Sequence, residues 1–170
     1  MKVNEPYEEQ AIPIPYVAGV FDGMGSIILA IQEKKRTGVG YQVQPWLRIT
    51  TNSEPLAGLL DEFALQHGLR HQFNETEAGS IRWQIQAVED CERFLDLVMP
   101  YLVKEYERAE IMRNDILPLL KDQDHHTKQG MIRLAGLGGE LTATRNRQRE
   151  RKYTEDYFRE LWEDDLTGTS

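Results

Sequence analysis

The chain has 170 residues, with 28 Asp and Glu against 20 Lys and Arg, giving a formal net charge of −8. This length suits one domain burying about two-thirds of its unfolded surface, and a charged fraction of 28% excludes wholesale disorder. A single cysteine, Cys91, excludes a disulfide framework or cysteine-based metal cluster. No stretch approaches the roughly 20 apolar residues of a membrane span, and the acidic N-terminus has no signal-peptide pattern. A soluble intracellular protein without a membrane partner is expected.

Residues 1–12 are acidic and aperiodic, which predicts an extended arm. Pro15 suits the first turn of a helix, and Val17, Ala18, Val20 and Phe21 make that helix apolar. Gly19 and Gly23, four apart, leave one face bare for close backbone approach, and Gly23 and Gly25 can end the helix. Ser26 to Lys35 then alternates as a strand, with Ile27, Leu29 and Ile31 on one side and Ser26, Ile28, Ala30, Gln32 and Lys34 on the other. After a glycine turn, Tyr41 to Thr51 reads as a second strand. Val43, Leu47 and Ile49 point inward, opposite Gln42, Gln44, Trp46, Arg48 and Thr50, and Pro45 predicts a bulge or an edge position.

Ser53 caps a second helix whose buried stripe is Leu56, Leu59, Leu60, Phe63 and Ala64, and Gly68 ends it. Residues 70–77 and 80–88 form a hairpin. A third helix from about Glu89 carries Phe94, Leu95, Val98 and Met99 and places Cys91 on its apolar side as a buried, inert thiol. Past Pro100 a fourth helix runs to about Leu120. Asp122 to Gly130 reads as loop, Leu134 to Gly139 as a loop or helix end, and Tyr157, Phe158, Leu161 and Trp162 as one face of a final amphipathic helix. The expected organisation is a core over 13–122, with 123–170 adding a basic loop and C-terminal helix to the same domain.

An acidic total argues against nucleic acid, because phosphate contacts need basic surface. Charge is segregated, however. Residues 128–152 carry seven Lys or Arg against two acids, and residues 89–124 carry ten acids against five Lys or Arg. The predicted outer sheet face holds Gln32, Lys34, Gln42, Gln44, Arg48, Arg70, Gln72, Asn74, Arg82 and Gln84, with no acid before Glu75. Gln and Asn pair with adenine and Arg with guanine in the major groove. Arg145, Arg147, Arg149 and Lys152 suit phosphate contact.

Ala18-Gly-Val-Phe-Asp-Gly-Met-Gly-Ser-Ile-Ile28 resembles the signature motif of the LAGLIDADG homing endonucleases, in the small one-motif form. Leu47-Arg-Ile-Thr-Thr-Asn52, Leu59-Leu-Asp-Glu-Phe63, Phe94 to Leu102 and Arg108-Ala-Glu-Ile111 extend the resemblance over residues 12–120. It implies an α/β (α+β) fold of αββαββα order, with a four-stranded antiparallel saddle in the DNA major groove and helices behind. It also implies a homodimer joined through the motif helix at Val17, Ala18, Gly19, Phe21, Asp22 and Gly23, acting on a pseudo-palindromic double-stranded DNA site. Ser26 and Ile28 join the DNA-facing set.

In that family a motif acid supplies oxygen to Mg²⁺ beside the scissile phosphate. Here the position is Met24, whose soft, neutral thioether does not hold Mg²⁺, so no metal ligand is assigned. Asp22 lies two residues earlier, rotated about 200° around a helix. The basic residue that supports the attacking water falls on Glu105, with Lys104 one position away, and the polar residue ending the second strand is Thr51 or Asn52. The expectation is sequence-specific DNA binding with cleavage lost or weak. An active Mg²⁺-dependent endonuclease and a structural dimer without nucleic acid remain as alternatives.

Overall fold

The computed structural model describes residues 11–143 and 150–168. Of the expected arm, residues 1–10 lie outside the described residues, and the Ile12 amide donates to Gln66 Oε1 at 3.0 Å. Helix α1 (Ile14–Met24) begins after Pro13 with Pro15 in its first turn, as its sequence predicts. It stops at Gly25, whose N–H donates to the Phe21 carbonyl. A Cβ at Gly25 would collide with that carbonyl oxygen and with the Phe21 ring. The chain therefore turns directly from helix into strand at a residue with no side chain.

Strands β1 (Gly25–Glu33), β2 (Tyr41–Thr51), β3 (Gln72–Glu75) and β4 (Ile81–Ile85) form one sheet in the order β1-β2-β4-β3. Every pairing is antiparallel. Pro45 pairs with Leu29 in unbroken register, and β4 joins β2 only from Leu47 onward. The proline thus occupies an edge stretch of β2, where its missing N–H costs no ladder bond.

Ile27, Leu29, Val43, Leu47, Ile49, Trp83 and Ile85 bury the inner sheet face. Against it pack α1, α2 (Glu54–Gln66) and α3 (Val88–Val98). Phe94 is the hub of this layer, with ring centroids 5.3 Å from Phe21, 5.6 Å from Trp83 and 6.3 Å from Phe63. Ser53 caps α2 as expected, accepting from the Leu56 amide at 3.2 Å. Ala57 takes a buried place on α2, while Leu56 and Leu59 are only partly covered. Cys91 is fully buried, and desolvation pushes its thiol well above the ordinary range.

The expected fourth helix is divided: α4 (Tyr106–Glu110), a π-helical stretch (Ile111–Ile116) and α5 (Leu117–Lys121). Pro118 lacks an N–H to continue the ladder, which fits a change of hydrogen-bond pattern just before it. Leu134 to Gly139 is neither loop nor helix end, but the interior of α6 (Lys128–Ala143). Tertiary packing outweighs the poor helix propensity of three glycines there. A Cβ on Gly138 would meet the Arg151 guanidinium, and one on Gly136 would lie 2.9 Å from Glu155 Oε2. The predicted loop before it contains a 3₁₀ turn, Asp124–His126.

The last helices are α7 (Glu155–Leu161) and α8 (Glu163–Leu166). Phe158 and Trp162 are buried in the same hydrophobic cluster as the sheet, but Leu161 is exposed, off the expected stripe.

Gly25→Ala should destabilise the chain by about 1–3 kcal/mol through overpacking. Gly58→Ala, in an exposed turn of α2 with nothing within 4 Å of the new Cβ, should stabilise it by about 0.5–1 kcal/mol. Urea denaturation of the two variants measures both signs.

Candidate nucleic-acid interface

The antiparallel register sets the outer face out in rows. Ser26 lies opposite Arg48, Arg48 opposite Gln84, and Gln84 opposite Gln72. The next row joins Thr50, Arg82 and Asn74. Along β1 and β2, Ile28 faces Trp46, Ala30 faces Gln44, and Gln32 faces Gln42. None of these thirteen residues is acidic. Glu75 has the strand parity of Phe73 and so belongs to the opposite face.

The centre of this face is preorganised. Arg48 Nε donates to Gln84 Oε1 at 2.9 Å, and its guanidinium carbon lies 4.7 Å from the Trp46 ring centroid. Gln84 Nε2 donates in turn to Gln86 Oε1 at 3.0 Å. Gln84 is only 5% exposed and its amide is engaged at both ends, so it supports Arg48 instead of presenting itself outward. Burial first, and then the charge of Arg82, lower the Arg48 pKa. Trp46 was not among the expected contact residues, although strict alternation along β2 already put it on this face.

Other expected contacts are placed differently. Arg70 precedes β3, and its guanidinium donates to Asp90 at 2.6 Å and Glu89 at 3.4 Å. Lys34 follows β1 in the hairpin turn, where its amide donates to the Gly40 carbonyl. The ammonium of Lys152 lies 5.0 Å from the Tyr153 ring centroid. Arg145, Arg147 and Arg149 lie outside the described residues.

At the end of α1, Met24 is 44% exposed. Asp22 turns instead to the start of α4. Its Oδ1 accepts from the Val103 amide at 3.1 Å and the Glu105 amide at 2.8 Å. Desolvation raises the Asp22 pKa, but the Glu105, Lys104 and Val103 amides and the Lys104 charge outweigh it, leaving the carboxyl below its ordinary 3.8. Glu105 is buried and binds Arg108 Nη1 at 2.6 Å, while Arg108 also donates to the Ile27 carbonyl at 2.7 Å and the Leu141 carbonyl at 3.3 Å. Lys104 is exposed. Thr51 Oγ1 accepts from the Ser53 amide and closes a local turn, while Asn52 Oδ1 accepts from Ser80 Oγ and ties the end of β2 to the start of β4. These residues do not fit Mg²⁺. The exposed side chain is a thioether, Asp22 is directed at backbone amides, and Glu105 is neutralised within the protein.

The α1 face differs from expectation in detail. Val17, Ala18 and Phe21 are fully buried in this chain's own core and are not available to a second copy. The open face carries Tyr16 (52% exposed), Gly19, Gly23 and Met24, with Val20 beside them. A Cβ at Gly19 or Gly23 would have nothing within 4 Å. The helix contains no basic residue and one acid, Asp22, which is bound elsewhere.

No protein-family model matches the sequence, and no curated protein matches it. Solved structures share the fold. The homing endonuclease I-CvuI, in complex with I-CreI target in 2 mM Mg with the DNA not cleaved, aligns at TM-score 0.76 and 17% identity over 89% of this chain and 92% of that one. Archaeal intron-encoded homing endonuclease I-Vdi141I, complexed with DNA, gives 0.74 and 18% over 91% and 97%. The LAGLIDADG homing endonuclease I-SmaMI, bound to cleaved DNA, gives 0.69 and 17% over 90% of this chain and 48% of that one. The four-stranded antiparallel sheet and packed helices are those of the LAGLIDADG homing endonuclease fold, as the sequence implies.

Because Asp22 titrates below its ordinary value when folded, its stabilisation is full above pH 3.8 and is lost as pH falls through the folded value. Asp22→Asn should therefore be less stable than the parent at about pH 6, and the difference should narrow as pH falls below 3.8. Denaturant midpoints across that range measure it.

Proposed function

We propose that this protein is a sequence-selective double-stranded DNA-binding protein that acts as a homodimer on a pseudo-palindromic site, with cleavage lost or weak. The observation that carries the reading is the acid-free outer sheet face. In a chain of net charge −8, this surface retains Gln, Asn and Arg in ordered rows. Such side chains suit base edges in the major groove, and solved proteins of this fold are described in complex with DNA.

The open face of α1 supports the dimer. Bare glycines flanked by Tyr16, Val20 and Met24 allow a second α1 to approach closely, and a two-fold contact is satisfied by the same patch on both copies. The fold also spans nearly all of I-Vdi141I but about half of I-SmaMI, the proportion expected if the longer chain carries two such units. Two copies related by a dyad would read two similar half-sites.

Weak or absent cleavage rests on Met24, Asp22 and Glu105. Neighbours were solved with Mg or Ca, which keeps a divalent cation as the cofactor of any residual endonuclease activity. In this chain the nearby carboxylates are committed to α4 and Arg108.

Selection from a random duplex library, with and without Mg²⁺, tests the proposal. One enriched, approximately palindromic sequence with intact strands is expected. Reproducible cleavage at that site would restore the endonuclease reading, and no enrichment at low salt would leave a structural dimer. Gly19→Leu and Gly23→Leu should leave the monomer's fold intact and abolish self-association by light scattering, because each new side chain occupies the open face. Association unchanged in both variants would exclude α1 as the contact.

A further inference from the structure

The centre of the outer face gathers cationic donors without carboxylates. The Trp46 indole nitrogen and Arg82 Nε are buried with no hydrogen-bond partner among the described residues. Arg48 and Arg82 take part in none of the ion pairs found there. Their rows are adjacent, placing them as diagonal neighbours across β2 and β4. Two partly desolvated cations with no carboxylate to answer them call for a ligand rich in acceptors.

Arg48 differs from Arg82 in being fixed. Its Nε is held by Gln84 and its plane is supported by Trp46. Gln84 cannot swing away without losing Gln86 as well. With Nε engaged, the two terminal amino groups of Arg48 are the donors available to a ligand. Guanine is the base that offers two acceptors, O6 and N7, to such a pair on its major-groove edge. Phosphate also accepts in this way, but cations at the margin of the face, such as Lys34 and Lys152, suit a backbone better than one held at mid-sheet.

We propose that Arg48 selects one guanine in each half-site through its terminal amino groups, with Gln84 as its positioning residue and Trp46 as its platform. This rests on the DNA-binding reading above. The register also places the guanine. Arg48 pairs with Ser26, two residues beyond the end of α1, whereas Gln42 pairs with Gln32 at the far end of the hairpin. Six residues of β2 separate Arg48 from Gln42, about 20 Å along the strand. If α1 lies at the dyad, the guanine read by Arg48 lies in the inner part of each half-site, and Gln32 and Gln42 reach its outer part.

The test compares full position-by-position binding profiles of the wild-type chain and three variants on duplex libraries. Arg48→Lys keeps the charge but loses the fork. It should reduce preference for guanine at one inner position per half-site by about 5- to 150-fold and leave other positions unchanged. Gln84→Leu should give a smaller loss at that same position. Gln84→Glu keeps an acceptor for Nε and should retain the preference, even where overall affinity drops. Loss of the same position in both Arg48→Lys and Gln84→Leu supports the assignment. A uniform loss on all sequences makes Arg48 a phosphate contact and overturns it, as does an unchanged profile or a loss where the wild type prefers another base. If the variants fail in this way while the wild type still selects a site, DNA recognition stands and only Arg48's role falls. If the wild type selects no sequence, both readings fall together.

Discussion

Asp22 and Arg108 together tie the layers of this protein to one another. The carboxylate at the end of α1 holds the backbone amides that open α4. Next in that segment, Glu105 holds Arg108 in the interior, and Arg108 reaches the carbonyls of Ile27 on β1 and Leu141 on α6. Breaking a buried pair of this kind by removing one partner leaves an uncompensated charge and costs about 3–5 kcal/mol. The junction joins the end of α1 and the start of β1 to α4 and α6. The same contacts engage Asp22, two residues before Met24, and Glu105.

Charge follows a similar division. Several acids of residues 89–124 pair with bases on the helical side, as in Arg113 with Asp96 and Lys121 with Glu92. The outer sheet face is spared. A net charge averaged over the chain hides this arrangement, because long-range repulsion of phosphate is screened within about 10 Å at ordinary ionic strength. On the proposed reading, affinity comes from a local surface that the total does not describe.

Much of the fold was legible in the sequence because period and punctuation agreed. The β2 limits, the Ser53 cap, the Gly25 break and the strand faces all follow from local rules. The interior of α6 was not legible, since three glycines weaken any helical signal and the reason for them, Arg151 and Glu155 lying close above, is tertiary. The α1 face was half legible. Apolar residues at Val17, Ala18 and Phe21 do not declare which layer will cover them, and this chain's own core does. Gln84 looked like a reader because it alternates with core residues, but its engagement by Arg48 and Gln86 depends on neighbours from another strand and a following turn. Met24 needed no structure to stand out, while the commitment of Asp22 and Glu105 elsewhere did.

The central claim is that two copies joined through α1 hold one duplex and leave it whole. Sedimentation equilibrium of the protein with its selected duplex in Mg²⁺, followed by denaturing electrophoresis of the recovered strands, measures both halves at once. Two chains per duplex and full-length strands are predicted. One chain per duplex, or strands cut within the selected site, would contradict the account.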